Sequence, residues 1–286
     1  MSLDGIADNG IGAGGSVIGA TGGEAAGDDF AANLGLASDA IAMSPPGKGT
    51  EQRELDMARL ADDVYQTNAT PPPGWRVASE ADLKNINLTP ADLTISDTGF
   101  RARVYVAGSG ENTDYVVAFK GTDFSSRIDW INNVRQALGG NSPYYDQAIR
   151  IGRETAFADA DIEFVGHSLG GGLASAAAIA SGFDASTYNA AGLSNNTINK
   201  AIASNPCGDA PGHVTAYYVP GEALNVIQED HSSLFKFDWL GKLAPDAYGN
   251  QVALEVDEPA NSDGSTGLFA RHGRDWVLSG IEAGDQ

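Results

Sequence analysis

The stretch Asp161–Ser175, read DIEFVGHSLGGGLAS, constrains this chain more than any other segment. Ile162, Phe164 and Val165 form the short apolar run of a buried strand. Gly166-His167-Ser168-Leu169-Gly170 follows without a spacer, and an Ala-rich run to Ile179 then reads as a helix. A chain that passes from strand to helix within G-x-S-x-G carries its serine on a sharp, strained turn. Glycines two residues to either side let backbone approach from both directions, where a Cβ would collide. The helix start leaves N–H groups unpaired beside the serine, positioned for a developing oxyanion. Ser168 is therefore the candidate nucleophile, expected to sit strained and exposed at the tip of the turn.

The strand–elbow–helix unit predicts an α/β-hydrolase fold, a central, mostly parallel sheet flanked by helices. The remaining pattern agrees. Glu51–Gln66 carries Leu55, Met57, Leu60, Ala61 and Val64 near helical spacing, and Pro71-Pro72-Pro73-Gly74 ends it. Leu83 to Leu93 is short helix or turn. Residues 101–106 alternate like a strand, and DYVVAFK at 114–120 is the apolar run of a strand buried on both faces. Ser142–Ala158 reads as a helix whose Tyr144, Ala148 and Ile149 belong to the core. Further strands are expected at 187–190, 214–219 and 251–256, with a closing helix at 275–281. Residues 1–47 are rich in Gly, Ala, Ser and Asp and bury little, so a flexible N-terminal tail precedes a catalytic domain over 48–286.

Charge and cysteine usage exclude several functions. Seventeen Lys and Arg against 38 Asp and Glu leave a formal charge of −21, which argues against binding nucleic acid. Cys207 is the single cysteine, in a polar Asn-Pro-Cys-Gly-Asp turn, so neither an internal disulfide nor a Cys-based metal site can form. No carboxylate cluster has calcium-loop spacing, and neither metal nor cofactor is expected. No run approaches the roughly 18 apolar residues of a membrane span. The first residues lack a basic region followed by an apolar one, so no Sec-type signal is read, and either a cytoplasmic location or signal-independent export fits.

GHSLGG, together with VVAFKGTD at 116–123 and the Asp129-Trp130 pair, resembles the class 3 lipases, fungal triacylglycerol lipases and bacterial phospholipase A1 relatives. The resemblance covers about residues 52–280 and departs from the family at Lys120, where Arg is usual. It implies that Thr122 supplies one oxyanion donor, and Leu169, the residue after the nucleophile, supplies the other. The base and acid follow from chain order, which in this fold runs Ser, acid, His. Of the four histidines, His167 adjoins the serine with its side chain turned away, and His213 precedes a strand. His272, on a loop before the last helix, resembles the family's C-terminal catalytic histidine; His231 competes but lies close to the acid strand. Glu222, just after VTAYYV, is the candidate acid where the family usually carries Asp, with Asp230 as competitor.

The resemblance implies hydrolysis of acyl esters in glycerolipids, phospholipids foremost, at a membrane or micelle surface. Leu234–Leu243, LFKFDWLGKL, reads either as a lipid-facing flap or as packing over the sheet edge. Short-chain carboxylesterase or thioesterase chemistry, and a non-catalytic binding module, stay open on the residues alone. By analogy with signal-less bacterial relatives, a secreted effector with an immunity or export partner is a further expectation.

Overall fold

The run Tyr115–Phe119 is apolar throughout because helices cover both faces of the sheet it lies in. Tyr115, Val117 and Phe119 pack with Ile162 and Phe164 in one core, while Val116 and Ala118 pack with Val165 in the other. The computed structural model describes residues 48–96, 98–110, 112–122, 142–208, 210–224, 246–256 and 267–283. Within them the sheet has seven strands in sequential order: β1 (Trp75–Val77), β2 (Ala102–Ser109), β3 (Asn112–Phe119), β4 (Asp161–His167), β5 (Asp184–Tyr188), β6 (Val214–Tyr218) and β7 (Asn250–Ala253). The pairs from β1 to β3 are antiparallel and those from β3 to β7 parallel, which is the α/β-hydrolase arrangement predicted.

Helices α3 (Pro143–Thr155), α4 (Leu169–Ser181) and α5 (Asn195–Ser204) pack together on the first core. Every residue of α4 is buried, consistent with a helix that is apolar on all sides. Helices α1 (Lys48–Asp63) and α7 (Arg274–Ala283) close the second core, through Leu55, Met57, Leu60, Trp276 and Ile281 among others. Short helices α2 (Glu80–Asn85) and α6 (Leu268–Arg271) complete the described elements, with a 3₁₀ turn at Pro90–Leu93.

Parallel pairing has one consequence for function. The carboxyl ends of β3 to β6 fall along one edge, since Phe119 pairs with Gly166, His167 with Tyr188 and Tyr188 with Tyr217. Thr122, Ser168, Leu169, Glu222 and His272 each follow one of these ends or pack beside them, as expected for a site outside the carboxyl ends of an open α/β sheet.

The chain leaving α1 is anchored on β2. Buried Asp63 accepts from the Thr70 amide at 2.6 Å, the Tyr105 hydroxyl at 2.6 Å and the Arg103 guanidinium at 3.2 Å. Burial, reinforced by the Asp63 carboxylate, pushes the Tyr105 phenol far above its ordinary range, so it stays protonated and donates. This fixes the position of Tyr65, two residues beyond the helix.

Several boundaries differ from expectation. The strand expected at 187–190 occupies Asp184–Tyr188, and Asn189 leaves it with φ 43°. Strand β1 and helix α5 were not expected. Exposed Arg76 and Val77 give β1 no periodic signal, and the polar start NNTINK hides α5. The tail 1–47, the Asp129-Trp130 pair, Asp230, His231 and the segment 234–243 lie outside the described residues.

Candidate active site

At the end of β4 the chain turns through Ser168, at φ 59° and ψ −126°, before α4 begins. A non-glycine residue there costs on the order of 1–3 kcal/mol and persists only where its surroundings hold it. They do. The Ser168 N–H donates to the Tyr188 oxygen at 3.0 Å, and its own carbonyl accepts from Gly171 at 3.0 Å and Ala191 at 2.9 Å. The glycines have a steric cause: a Cβ on Gly166 would overlap the Gly170 carbonyl, and one on Gly170 would overlap the Phe119 carbonyl. Gly170→Ala is accordingly expected to cost about 3 kcal/mol or more, at the upper end of overpacking. Chemical denaturation of the variant against wild type checks this, and an unchanged midpoint would contradict it.

The serine is fully buried, which corrects the expectation of an exposed tip. Its backbone is tied to Tyr188 and Ala191, beyond the turn itself, so the residue sits against the neighbouring chain rather than clear of it. Its Oγ is shielded from solvent with no hydrogen-bond partner among the described residues.

The oxyanion candidates meet at this elbow. Gly121 approaches so closely that a Cβ on it would lie 2.6 Å from the His167 carbonyl oxygen and 3.2 Å from the Gly170 nitrogen. Thr122, the next residue, thus adjoins the first turn of α4, where Leu169 is buried. Tyr65 holds the junction together. Its hydroxyl accepts from the Gly121 amide at 2.9 Å and donates to the His167 carbonyl at 3.2 Å. The Arg274 guanidinium stacks 4.0 Å over the Tyr65 ring while pairing with Asp62 at 2.8 Å.

Acid and base candidates are in contact. Glu222 follows β6 through Gly221, whose φ of 75° favours glycine, and its carboxylate accepts from the Leu224 amide at 2.9 Å. The same oxygen hydrogen-bonds Nδ1 of His272, and both side chains are buried. A carboxylate accepts only, so Nδ1 is the donor in this bond and Nε2 is the ring nitrogen left to act as a base. His272 sits in the turn between α6 and α7, and flanking arginines brace that turn: Arg271 donates to the Pro220 carbonyl at 3.1 Å, and Arg274 reaches α1.

His167 backs the turn from below. Its Nε2 lies 2.7 Å from the His272 carbonyl oxygen, and the two rings are 5.0 Å apart. A carbonyl only accepts, so Nε2 is the donor. Burial pushes His167 well below its ordinary range, with the neighbouring His272 ring adding to it and the carbonyl bond opposing, so the ring is neutral. The expectation of a structural role for His167 agrees with this. His213 is exposed, with Asp184 at 3.5 Å, and Cys207 is exposed, so neither joins the site. Among the described residues no three His, Cys, Asp or Glu side chains gather as a metal would need, and no helix is long and apolar enough to cross a membrane.

Two residues at the site carried no sequence expectation. Tyr65 lies beyond the last periodic position of α1, and Asn189 was read only as part of a strand.

Comparison with known proteins bears on this arrangement. A family model described as a Tle-like phospholipase domain matches residues 56–260. The extracellular phospholipase A1 of Serratia liquefaciens is 35% identical, over 84% of this chain and 75% of that protein. Among solved structures, the Lip2 lipase of Yarrowia lipolytica aligns over 74% of this chain and 81% of its own at 13% identity and a TM-score of 0.39. The hyperthermophilic esterase of Pyrobaculum calidifontis aligns over 83% and 92% at 13% identity and a TM-score of 0.29.

Proposed function

The chain belongs to the Tle-like phospholipase domain family, and from that premise we propose that it cleaves acyl ester bonds of glycerophospholipids by serine catalysis, at the sn-1 position. The observation that carries the mechanism is the buried contact between Glu222 and His272 Nδ1, on the edge where the Ser168 elbow stands. In this reading His272 Nε2 removes the Ser168 hydroxyl proton as Oγ attacks the ester carbonyl. Glu222 holds the imidazole tautomer and stabilises the imidazolium. The N–H groups of Thr122 and Leu169 receive the oxyanion, each donor worth about 3–4 kcal/mol in comparable sites. The imidazolium then protonates the departing lysolipid oxygen. Water, deprotonated by the same nitrogen, hydrolyses the acyl-enzyme and releases fatty acid.

The sn-1 preference is drawn from what the Serratia relative is named for. Mass spectrometry of products from a phosphatidylcholine with different acyl chains at its two positions tests it. The expected products are the sn-1 fatty acid and the matching 2-acyl lysolipid. Release of the sn-2 chain alone would overturn the regiochemistry, and cleavage only of short-chain esters or thioesters would overturn the substrate class. The lipid is met at a membrane or micelle surface. That relative is extracellular by name, and export of this chain, as an effector, is proposed here by extension; recovery of the protein only from the cytosol of growing cells would count against it.

The Tyr65 bridge makes a separate prediction. Tyr65→Phe keeps the ring under Arg274 but leaves the Gly121 N–H and the His167 carbonyl without that hydroxyl. A roughly 10- to 100-fold fall in kcat is expected, short of losing an oxyanion donor outright, with KM little changed. Steady-state kinetics on a long-chain ester checks it, and an unchanged kcat would remove Tyr65 from the account.

A further inference from the structure

We infer that Asn189 is a positioning residue that sets His272 against Glu222 by tying the acid loop and the base turn to the nucleophile's own region of the sheet. The inference rests on the Ser168–His272–Glu222 reading above and assigns a residue outside that triad.

Asn189 is buried at the carboxyl end of β5, in the left-handed region at φ 43°, which Asn tolerates better than most residues. Its backbone N–H donates to the Tyr217 oxygen at 2.8 Å, fixing the residue to β6. Its side-chain oxygen accepts from the Val219 amide at 2.9 Å, three residues before Glu222. Its side-chain nitrogen donates to the Arg271 carbonyl at 3.2 Å and the His272 carbonyl at 3.3 Å. The amide can take only this orientation, since a flip would face its nitrogen to an N–H and its oxygen to two carbonyls. One side chain therefore spans both segments that supply the acid and the base. The neighbouring strand contributes as well, because Ser168 donates its N–H to Tyr188, the residue before Asn189.

The chemistry requires an amide here. A carboxylate would still accept from Val219 but would repel the two carbonyls, and a hydroxyl or aliphatic group cannot both accept and donate twice. His167 supplies a second donor to the His272 carbonyl. Losing Asn189 would keep the Arg271 and Arg274 braces and the His167 bond but remove the tie from the Arg271 and His272 carbonyls to the end of β5, so the turn would settle in a displaced position. A displacement near 1 Å at such a site costs roughly 10²-fold in rate.

Two variants separate positioning from general support. Asn189→Gly removes the side chain and keeps the left-handed backbone at no steric cost. Asn189→Asp keeps the acceptor for Val219 and loses the donor to the base turn. Each is assayed for kcat, KM and melting temperature beside His272→Ala and Thr155→Ala, the last removing a buried hydroxyl bonded only within α3. The expected result is a kcat lowered about 100-fold in Asn189→Gly and Asn189→Asp, KM within twofold, and Thr155→Ala at wild-type kcat despite a lower melting temperature. If Asn189→Gly does not fold, Asn189→Asp alone decides. A kcat within twofold of wild type in the folded Asn189 variants, with His272→Ala inactive, overturns the inference and leaves the triad standing. Wild-type activity in His272→Ala overturns the triad itself.

Discussion

Ser168→Ala is expected to lose ester hydrolysis by a factor on the order of 10⁶ in kcat and at the same time to gain stability. The first effect follows from removing the atom proposed to form the acyl-enzyme. The second follows from the setting of that atom. Oγ is buried with no hydrogen-bond partner among the described residues, so the folded protein bears the desolvation of a hydroxyl, about 1–3 kcal/mol. Alanine removes that cost and leaves the strained φ of 59° as it was. A domain of this size should then melt higher by roughly 2–4 °C for each kcal/mol recovered. Residual activity assays and thermal unfolding of the pair check both halves. An inactive variant of lower stability would mean that the hydroxyl supports the fold.

Glu222→Ala carries the second large effect, a fall in kcat of about 10⁴-fold. Without the carboxylate nothing enforces the Nδ1–H tautomer of His272, and two buried donors, Nδ1 and the Leu224 amide, lose their acceptor. The stability loss should be about 1–3 kcal/mol for each orphaned group. Glu222→Ala combined with His272→Ala should be hardly worse than His272→Ala alone, because groups acting as one unit are strongly non-additive. Multiplicative losses in the double variant would contradict a shared role.

What the sequence disclosed and what it withheld divide along the range of the interactions. The elbow is local: glycine spacing, the strand before it and the helix after it all lie within residues 161–181, and the structure reproduces them. Strand β3 was readable because both faces are buried, which leaves the unbroken apolar run Tyr115–Phe119, and β4 was readable from Ile162, Phe164 and Val165 running straight into the elbow. The meeting of Glu222 with His272 was reachable through the chain order of the fold, although 50 residues separate them. Three features were not reachable. The burial of Ser168 depends on how the rest of the chain folds around the turn, which no local pattern encodes. Tyr65 and Asn189 act through hydrogen bonds spanning 30 to 102 residues, and neither disturbs the periodicity of its own element. Helix α5 did carry a signal, Ser194 capping the Thr197 amide, masked by the polar residues that follow it.

Several polar side chains cluster at one edge of an otherwise apolar core. His167, Asn189, Glu222 and His272 are all buried, and each makes a bond that orients another of the set or the segment carrying it. Buried hydrogen bonds of this kind specify one arrangement of the segments they join.

In the proposed mechanism Ser168 is the nucleophile and His272 activates it. Intact-protein mass spectrometry after exposure to a long-chain fluorophosphonate, with peptide mapping of the adduct, tests it most directly. One adduct per chain, mapped to Ser168, absent from Ser168→Ala and formed far more slowly in His272→Ala, is the predicted result. An adduct on another residue, or labelling of Ser168 at the wild-type rate in His272→Ala, would contradict it.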